Sequence, residues 1–365
     1  MNTLLIYGAT GYTGRMAAQR AKVLGLPFEI GGRNRQALVD FADHLEVPYR
    51  VFEADADAAR SLSGISVLLN FAGPFAHTAP ALMAACIEAK VDYLDITAEI
   101  NIYRLAEQLG VSAAAAGVML LPGVGWDVVP TDSLAAHVAQ RVVNPLALSI
   151  ALQVPGSMSR GSAMSVGEII GAGVLARIDG ELVSTSDAQP RHFDFGDGEV
   201  LCVPLSFGDL VTGWHTTRIP NIAMFVHISA DAFPEGDLSL LPDGPSAQER
   251  DAHRARAVVE VIAQDGSRVR SMIETVNGYA YTPLAAIEAA RRVLDGDRRP
   301  GFATPVGVLV TGSPRVFPER SSAIHRRDDG VSRNRFCLAG GRQFESRRIA
   351  RRRQTEQSCV FAAEL

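Results

Sequence analysis

The stretch Gly8-Ala9-Thr10-Gly11-Tyr12-Thr13-Gly14 decides the fold of the amino-terminal part of this 365-residue chain. It follows the short apolar run Thr3 to Tyr7 and leads into a segment with helical spacing, Arg15 to Leu24. This strand–glycine turn–helix order is the context of a dinucleotide-binding loop, although the spacing is GxxGxxG instead of GxGxxG. The first glycine permits the turn, the second lets the backbone approach a pyrophosphate, and the third allows close helix–strand packing. We therefore predict that residues 8–14 hold the phosphates of a dinucleotide at the start of a helix.

Repeated strand–helix units continue outward from this loop to about residue 130. Apolar runs such as Val67 to Phe71 alternate with helical segments such as Ile102 to Ala115. This alternation predicts a Rossmann-type, doubly wound parallel sheet in an α/β fold. Beyond residue 130 the mixture of extended and helical pieces, including a helix expected over Asp251 to Gln264, predicts a second α+β domain. The expected units are 1–130 (Rossmann), 131–280 (substrate binding or dimerisation), 281–314 (a helix returning to the Rossmann domain) and 315–365 (an atypical Arg-rich tail, with disorder as a candidate state).

The end of the second strand indicates which dinucleotide is preferred. An NAD-selective site places Asp or Glu there, whereas this chain has Gly31-Gly32-Arg33-Asn34. Arg33 can pair with a 2′-phosphate through its planar guanidinium, so we predict NADP(H) over NAD(H). The alternative is that Arg33 only caps or solvates the next helix. Asp55, just past the third strand, is a candidate for the adenine amine, or else a solvated loop acid.

The sequence Asn70-Phe71-Ala72-Gly73-Pro74-Phe75 closes the fourth strand. Ligands of open α/β sheets bind at the carboxyl ends of the strands, which predicts a place near the nicotinamide for this turn. The alternative is a glycine–proline turn that serves packing alone. The cofactor-binding candidates are therefore Gly8, Ala9, Thr10, Gly11, Tyr12, Thr13, Gly14, Arg33, Asn34, Asp55, Asn70, Ala72, Gly73, Pro74 and Phe75.

Three residues are candidates for proton transfer, which a hydride transfer to an imine, carbonyl or enoyl group requires. They are Glu99 and Asp127, which follow predicted strands, and His215 between two extended runs. Each has a structural alternative, namely a loop or helix-start carboxylate for the acids and a hydrogen-bonded structural imidazole for the histidine. The chain has only two lysines, Lys22 and Lys90, and neither lies in a Tyr-x-x-x-Lys pair, which disfavours a short-chain dehydrogenase mechanism.

Several motifs together resemble one family. They are GATGYTG, GGRN, NFAGPF, ACIEAKVDYLDITAE and LLPGVGWDVVPTDSLAAH, with further likeness to about residue 310. In this order they resemble the saccharopine dehydrogenase-like oxidoreductases, and within them the bacterial subgroup labelled trans-acting enoyl reductase. The resemblance implies an NADP-type Rossmann domain, a second α/β domain and an oxidoreductase, without fixing the substrate. Arg218 departs from the family, because glycine is usual at its position.

Two functions from different classes follow. The first is an NADP-dependent reductase that acts on an imine or on an enoyl or carbonyl compound. The second is a non-catalytic protein that binds NADP(H) for structure or sensing. A small-molecule substrate is expected in the first case. A lipid-like substrate is a further candidate if the apolar segment Ala163 to Leu175 is exposed, and a homodimer is the candidate assembly.

Charge and composition limit the partners. The net charge is −5, but residues 315–365 hold 12 arginines against 6 acidic residues, so the preceding chain is distinctly acidic. We therefore expect no nucleic-acid partner for the body of the protein. The tail is either the product of a shifted reading frame or a basic extension that binds anionic lipid or nucleic acid. Four dispersed cysteines and no apolar stretch of 18 residues predict no metal site, no transmembrane segment and a cytoplasmic location, with membrane association as the alternative.

Overall fold

A parallel sheet forms the amino-terminal part of the protein in the computed structural model, which describes residues 2–227, 237 and 243–309. The tail 315–365, and the last part of 281–314, lie outside these residues. The strand order is β15-β6-β5-β4-β1-β2-β3, with every pairing parallel. This order confirms the predicted doubly wound fold. The strands are β1 (Leu4–Tyr7), β2 (Phe28–Gly32), β3 (Tyr49–Val51), β4 (Val67–Asn70), β5 (Asp92–Asp95), β6 (Met119–Leu121) and β15 (Gly301–Phe302).

Helices cover both faces of this sheet. Leu4 and Ile6 of β1 belong to one apolar core and Leu5 and Tyr7 to another, because successive side chains of a strand point to opposite faces. Both faces of β1 and β4 are buried, as expected for central parallel strands. The helices of this part are α1 (Tyr12–Val23), α2 (Arg35–Leu45), α3 (Phe75–Ala89) and α4 (Ile100–Ala116), with a 3-10 helix at Ala58–Leu62.

A mixed sheet forms the second part and confirms the predicted α+β architecture. Its main order is β10-β11-β12-β7-β13-β14, with the hairpin β8–β9 attached to β12. The strands are β7 (Pro145–Gln153), β8 (Leu175–Ile178), β9 (Glu181–Ser184), β10 (Arg191–Asp194), β11 (Glu199–Pro204), β12 (Asn221–His227), β13 (Arg254–Ala263) and β14 (Arg268–Val276). The remaining helices are α5 (Val129–Ala139), α6 (Arg160–Gly171), α7 (Asp209–Thr217), α8 (Ala247–Ala252), α9 (Gly278–Leu294) and α10 (Pro305–Leu309).

The helix expected over 251–264 is wrong, because most of this segment forms strand β13. Its residues Ala255, Ala257, Val259 and Val261 are fully buried at every second position. This period of two, together with the β-branched residues, favours a strand between β7 and β14. Arg256, which lies between two of these buried residues, pairs with Glu274 on the neighbouring strand.

After the second sheet, the chain packs against the first part again. Helix α9 packs against α1, and the short strand β15 adds to β6 at the edge of the parallel sheet. These returns bring β7, β12 and α6 to the edge of the parallel sheet where the carboxyl ends of β1, β2 and β4 lie, and a cleft forms between the two parts. Among the described residues, no helix combines the length and apolar character that crossing a bilayer would require.

Candidate functional site

One cleft of about 1080 Å³ joins the glycine-rich loop to the second sheet. It receives residues from the ends of parallel strands on one side and from β7, β12 and α6 on the other. Most of the sequence-predicted site residues line it: Gly8, Thr10, Gly11, Tyr12, Thr13, Arg33, Asn34, Ala72, Gly73, Pro74, Phe75 and Asp127. Ala9, Gly14, Asp55, Asn70, Glu99 and His215 are not among the lining residues.

The amino terminus of α1 is open toward this cleft. Gly11 is its N-cap and supplies no side-chain acceptor, and the first turn carries no acidic residue. Gly8 has a φ of 78°, and a Cβ there would stand 2.7 Å from the Ala72 nitrogen. A Cβ on Gly14 would stand 2.3 Å from the Gly8 carbonyl oxygen. The loop therefore packs too tightly for side chains at positions 8 and 14. The first turn of α1 offers backbone N–H groups to an anion, so the loop fits the pyrophosphate of a dinucleotide.

The end of the cleft near β2 and β3, where the adenosine is predicted to bind, differs in part from the sequence prediction. Arg33 is exposed and lines it, while the Asn34 side chain caps α2 by accepting a hydrogen bond from the Ala37 N–H at 3.1 Å. Asp55 accepts from the Asp57 N–H at 2.9 Å, which shapes its own loop. Glu53, which the sequence analysis missed, lines the cleft instead. Its signal was its place directly after β3, since ligands meet the carboxyl ends of parallel strands.

Asn70, the last residue of β4, holds the turn that follows this strand. It is fully buried, its Oδ1 accepts a hydrogen bond from the Ala72 N–H at 2.9 Å, and its Nδ2 donates to Thr78 Oγ1 at 3.1 Å. The Thr78 hydroxyl in turn donates to the Ala72 carbonyl oxygen at 2.7 Å. These bonds fix the backbone of the turn, which itself borders the cleft.

Glu99 closes the amino terminus of α3. Its two carboxylate oxygens accept hydrogen bonds from the Phe75 and Ala76 N–H groups, each at 2.7 Å. The N-cap residue Pro74 offers no side-chain acceptor, so a residue from the start of α4 performs the capping. Burial raises the pKa of Glu99, and the two backbone hydrogen bonds oppose that rise. With both oxygens engaged, Glu99 lies behind the turn at residues 73–76.

Asp127 presents a carboxyl group to the cleft. It follows β6 and precedes α5, and no hydrogen bond to its side chain occurs among residues 2–227, 237 and 243–309. Burial raises its pKa to about 6. A carboxyl group with this pKa is partly protonated near neutrality and can donate a proton.

His215 lies on α7, outside the cleft lining. Its Nε2 is 2.6 Å from Glu107 Oε1 on α4, and its ring contacts Phe302 edge-on. The structure therefore does not bring His215 together with Asp127 and the glycine loop at the cleft. The nearby Arg218 adopts a φ of 59° at the end of α7, so it keeps the left-handed turn that glycine would take more readily.

The wall opposite the glycine loop is mainly apolar. Helix α6 contributes much of it, although only Ile169 of this helix is buried, and Met164 and Ile170 are 49% and 62% exposed. Helix α6 thus covers most of the apolar segment Ala163 to Leu175, and its apolar side chains border the cleft. The apolar side chains of this wall are Leu152, Val154, Met158, Met164, Val166, Ile169, Ile170, Leu205, Phe207 and Val226.

Tyrosine side chains connect the loop to this wall. Tyr279 Oη accepts from the Ser159 N–H at 2.8 Å and donates to Ser162 Oγ at 2.9 Å. Its ring meets Tyr12 edge-on, with centroids 5.6 Å apart. Arg250 donates to Tyr12 Oη at 2.7 Å, which adds a contact from α8. The hydroxyl of Tyr279 is therefore engaged with α6.

Comparisons with known proteins agree with this geometry. No family model matches the chain. The chain is 28% identical to trans-acting enoyl reductases of Mycobacterium ulcerans over 148 residues and of Mycobacterium leprae over 150 residues. Saccharopine dehydrogenase (L-Glu forming) of Saccharomyces cerevisiae superposes with a TM-score of 0.56 at 14% identity, covering 84% of this chain and 95% of that one. The sequence likeness is therefore to trans-acting enoyl reductases, and the structural likeness is to the fold of a saccharopine dehydrogenase.

The resemblance predicted from the sequence motifs is thereby confirmed, within limits. The two sequence alignments cover 38% of this chain and only 35% and 36% of the mycobacterial proteins. The chain thus matches about a third of the length of these relatives. At 14% identity the yeast structure shows the fold alone.

Proposed function

We propose that this protein is an NADP(H)-dependent reductase that transfers a hydride to an enoyl, carbonyl or imine group of a substrate with an apolar portion. The observation that carries the proposal is the cleft, because it joins an open helix amino terminus, Asp127 and an apolar wall. The likeness to trans-acting enoyl reductases supports the same class of reaction.

In this proposal, different residues of the cleft bind different parts of the cofactor. The N–H groups at the start of α1 hold the pyrophosphate, and the Arg33 guanidinium pairs with the 2′-phosphate, which gives the preference for NADP(H). Glu53 is placed to accept a hydrogen bond at the adenosine end. The turn at 72–75 borders the nicotinamide half. The cofactor, when bound, supplies the hydride.

Asp127 supplies the proton in this proposal. Reduction of a double bond by a hydride leaves a negative charge that a proton must neutralise. The Asp127 carboxyl is protonated in a useful fraction of molecules because burial raises its pKa to about 6. The apolar side chains of α6, β7 and β12 exclude water from the reacting groups and accept the apolar portion of the substrate. A lipid-like substrate fits this wall best.

Binding and turnover test the proposal in sequence. Purified protein is titrated with NADPH and with NADH, and cofactor fluorescence is followed. We expect saturable binding of both, tighter for NADPH. Oxidation of NADPH is then measured with a panel of enoyl thioesters and cyclic imines.

The variant Asp127→Asn separates binding from chemistry. It keeps the shape of the side chain but removes its proton, so we expect NADPH binding to persist and turnover to fall about 100-fold. Wild-type turnover should decrease as pH rises through about 6, the pKa of Asp127, because the proton donor is lost. Binding of NADPH without oxidation by any compound of the panel would favour the non-catalytic alternative, and no binding of either nucleotide would refute both.

A further inference from the structure

Thr282 on helix α9 lies on the wall of the cleft that also carries Asp127. Its Oγ1 accepts a hydrogen bond from the Trp126 N–H at 3.1 Å, and Trp126 directly precedes Asp127. Both Thr282 and Asp127 line the cleft, and only 9% of Thr282 is exposed. A hydroxyl group of α9 is therefore tied to the backbone just before the residue that donates the proton in the proposed reaction.

Gly125 lets α9 approach this backbone closely. A Cβ on Gly125 would stand 3.2 Å from Thr282 Cγ2 and 3.4 Å from Thr282 Oγ1. The backbone of Gly125 does not adopt a positive φ, so its conformation does not require glycine. The missing side chain at position 125 instead leaves room for Thr282 at the cleft.

The hydrogen atom of the Thr282 hydroxyl is available to a ligand. A threonine hydroxyl offers one donor and two acceptor positions. Within residues 2–227, 237 and 243–309, Oγ1 of Thr282 accepts from Trp126 but donates to no other group. The hydroxyl groups of Thr78 and Tyr279, which also border the cleft, already donate to protein acceptors. Thr282 thus offers the cleft a hydrogen-bond donor on the same wall as an acid.

We propose that the Thr282 hydroxyl donates a hydrogen bond to the carbonyl oxygen of the substrate while Asp127 protonates the adjacent carbon. This assignment rests on the proposed function and narrows it to an alkene conjugated with a carbonyl group. A hydride adds to the β carbon of the alkene, and the electron pair of the double bond moves toward the carbonyl oxygen. The proton of Asp127 then bonds to the α carbon, so the alkene is reduced to the saturated compound and NADPH is oxidised to NADP⁺.

The two polar groups match the two places where this reaction needs them. Negative charge develops on the carbonyl oxygen as the hydride is transferred, and a fixed donor stabilises that charge more than it stabilises the neutral substrate. The carbon atom needs a proton, which Asp127 provides. An imine gathers the charge on a single nitrogen atom, which one proton donor neutralises. A second donor at Thr282 therefore favours the conjugated alkene over the imine.

Two threonines that bind Trp126 provide a matched pair of variants. Thr282 accepts from its backbone N–H, whereas Thr275 accepts from its indole Nε1 at 2.7 Å and does not line the cleft. Oxidation of NADPH by the N-acetylcysteamine thioester of trans-2-octenoic acid is followed. We expect kcat to fall about 100-fold in Thr282→Val, as is typical when one donor to a developing oxyanion is removed, but only about threefold in Thr275→Val. Thr282→Ser keeps the hydroxyl and should recover most of the rate.

The infrared band of the thioester carbonyl gives a second readout, which needs no turnover. The thioester is bound in the presence of NADP⁺, and its carbonyl stretching frequency is compared with that of the free compound. A hydrogen bond weakens the carbonyl bond, so the frequency should be lower in the wild type and in Thr275→Val but not in Thr282→Val. A role of Thr282 limited to holding Trp126 would not change this band.

The outcomes separate this inference from the proposed function. A wild-type band at the frequency of the free thioester overturns the role of Thr282 without any variant. A folded Thr282→Val that loses no more activity than Thr275→Val also overturns it, as does reduction of cyclic imines but of no enoyl thioester, while the reductase proposal stands. Absence of NADPH binding in the fluorescence titration refutes both. If Thr282→Val does not fold, Thr282→Ala removes the same hydroxyl and takes its place.

Discussion

Two helices that pack on the parallel sheet, α1 and α3, begin at the same cleft. The amino terminus of α1 is open, whereas that of α3 is capped by a carboxylate. Helix α1 begins at Gly11 with neither a side-chain cap nor an acidic residue in its first turn. Helix α3 begins after Pro74 with its first N–H groups bound to the Glu99 carboxylate. A helix amino terminus attracts anions in both cases. The α1 terminus therefore remains able to accept an anion, whereas the α3 terminus is closed by the protein's own carboxylate, which holds a turn in place.

Closing the open terminus should have the largest effect. Gly11 has extended backbone angles, φ −75° and ψ 169°, and a Cβ there meets only the Gly8 carbonyl oxygen at 3.4 Å, so Gly11→Asp fits the backbone. Its carboxylate would cap α1 as Glu99 caps α3 and would repel the pyrophosphate. We expect NADPH to bind about 100-fold more weakly, because a like charge at about 4 Å costs a few kcal/mol. Fluorescence titration measures this loss.

The neutral variant Gly11→Asn is the matched control. It has nearly the same shape and also caps a helix, so both variants should raise the melting temperature of the unliganded protein slightly. Its NADPH affinity should fall about tenfold at most, since it adds no charge. Equal affinities of the Asp and Asn variants would show that the phosphates do not lie at this terminus.

Opening the closed terminus should mainly cost stability. Glu99→Ala leaves the buried Phe75 N–H and the half-buried Ala76 N–H of α3 without acceptors, and an unpaired buried group costs about 1–3 kcal/mol. We expect the free energy of unfolding to fall by about 3 kcal/mol in urea denaturation at pH 7. The control is Glu107→Ala on the same helix, whose exposed pair with His215 is worth about 1 kcal/mol or less. A loss for Glu99→Ala no larger than that of the control would contradict the capping role.

These two termini also show how far the sequence alone leads. The open terminus is visible locally, because three glycines within seven residues follow a strand. The closed one is not, since Glu99 and Phe75 are 24 residues apart and meet only when β4 and β5 pair. His215 was nominated by residue type alone, and its approach to Glu107 across 108 residues could not be predicted. Asp55 and Asn34 bind neighbouring backbone N–H groups, a local alternative that sequence reasoning underweighted.

The proposed preference for NADP(H) depends on the charge of Arg33, which lines the cleft beyond the open terminus. Arg33→Ser should weaken NADPH binding about tenfold, because a charge-assisted pair with the 2′-phosphate is worth about 1.5 kcal/mol at an exposed site. NADH binding should hardly change, since NADH lacks that phosphate. Arg35→Ser is the control, because Arg35 is exposed at the first position of α2 but does not line the cleft. Parallel titrations with both nucleotides measure the ratio, and an unchanged NADPH-to-NADH ratio in Arg33→Ser would place the 2′-phosphate elsewhere.

The amino terminus of α7 can be compared with those of α1 and α3. A substitution there is expected to have the smallest effect of these predictions. Asp209 in its first turn is fully buried, and neither of its carboxylate oxygens has a hydrogen-bond partner among the described residues, in contrast to Glu99. Burial, reinforced by Asp132 and Asp127, raises its pKa well above the usual value. A carboxyl whose pKa is raised by folding contributes stability that is present below about pH 4 and is lost as pH rises through the folded-state pKa. The free energy of unfolding of Asp209→Asn should therefore be about 1 kcal/mol higher than that of the wild type at pH 8. It should also depend less on pH, so that the stabilities of the two proteins become equal near pH 4.

Asp132→Asn is the control. It should gain less stability, because one oxygen of Asp132 accepts a hydrogen bond from the Val306 N–H at 3.1 Å. Urea denaturation from pH 4 to pH 8 measures both, and an Asp209→Asn variant that is less stable at pH 8 would mean that the ionised carboxylate at α7 is held by favourable interactions, as Glu99 is at α3.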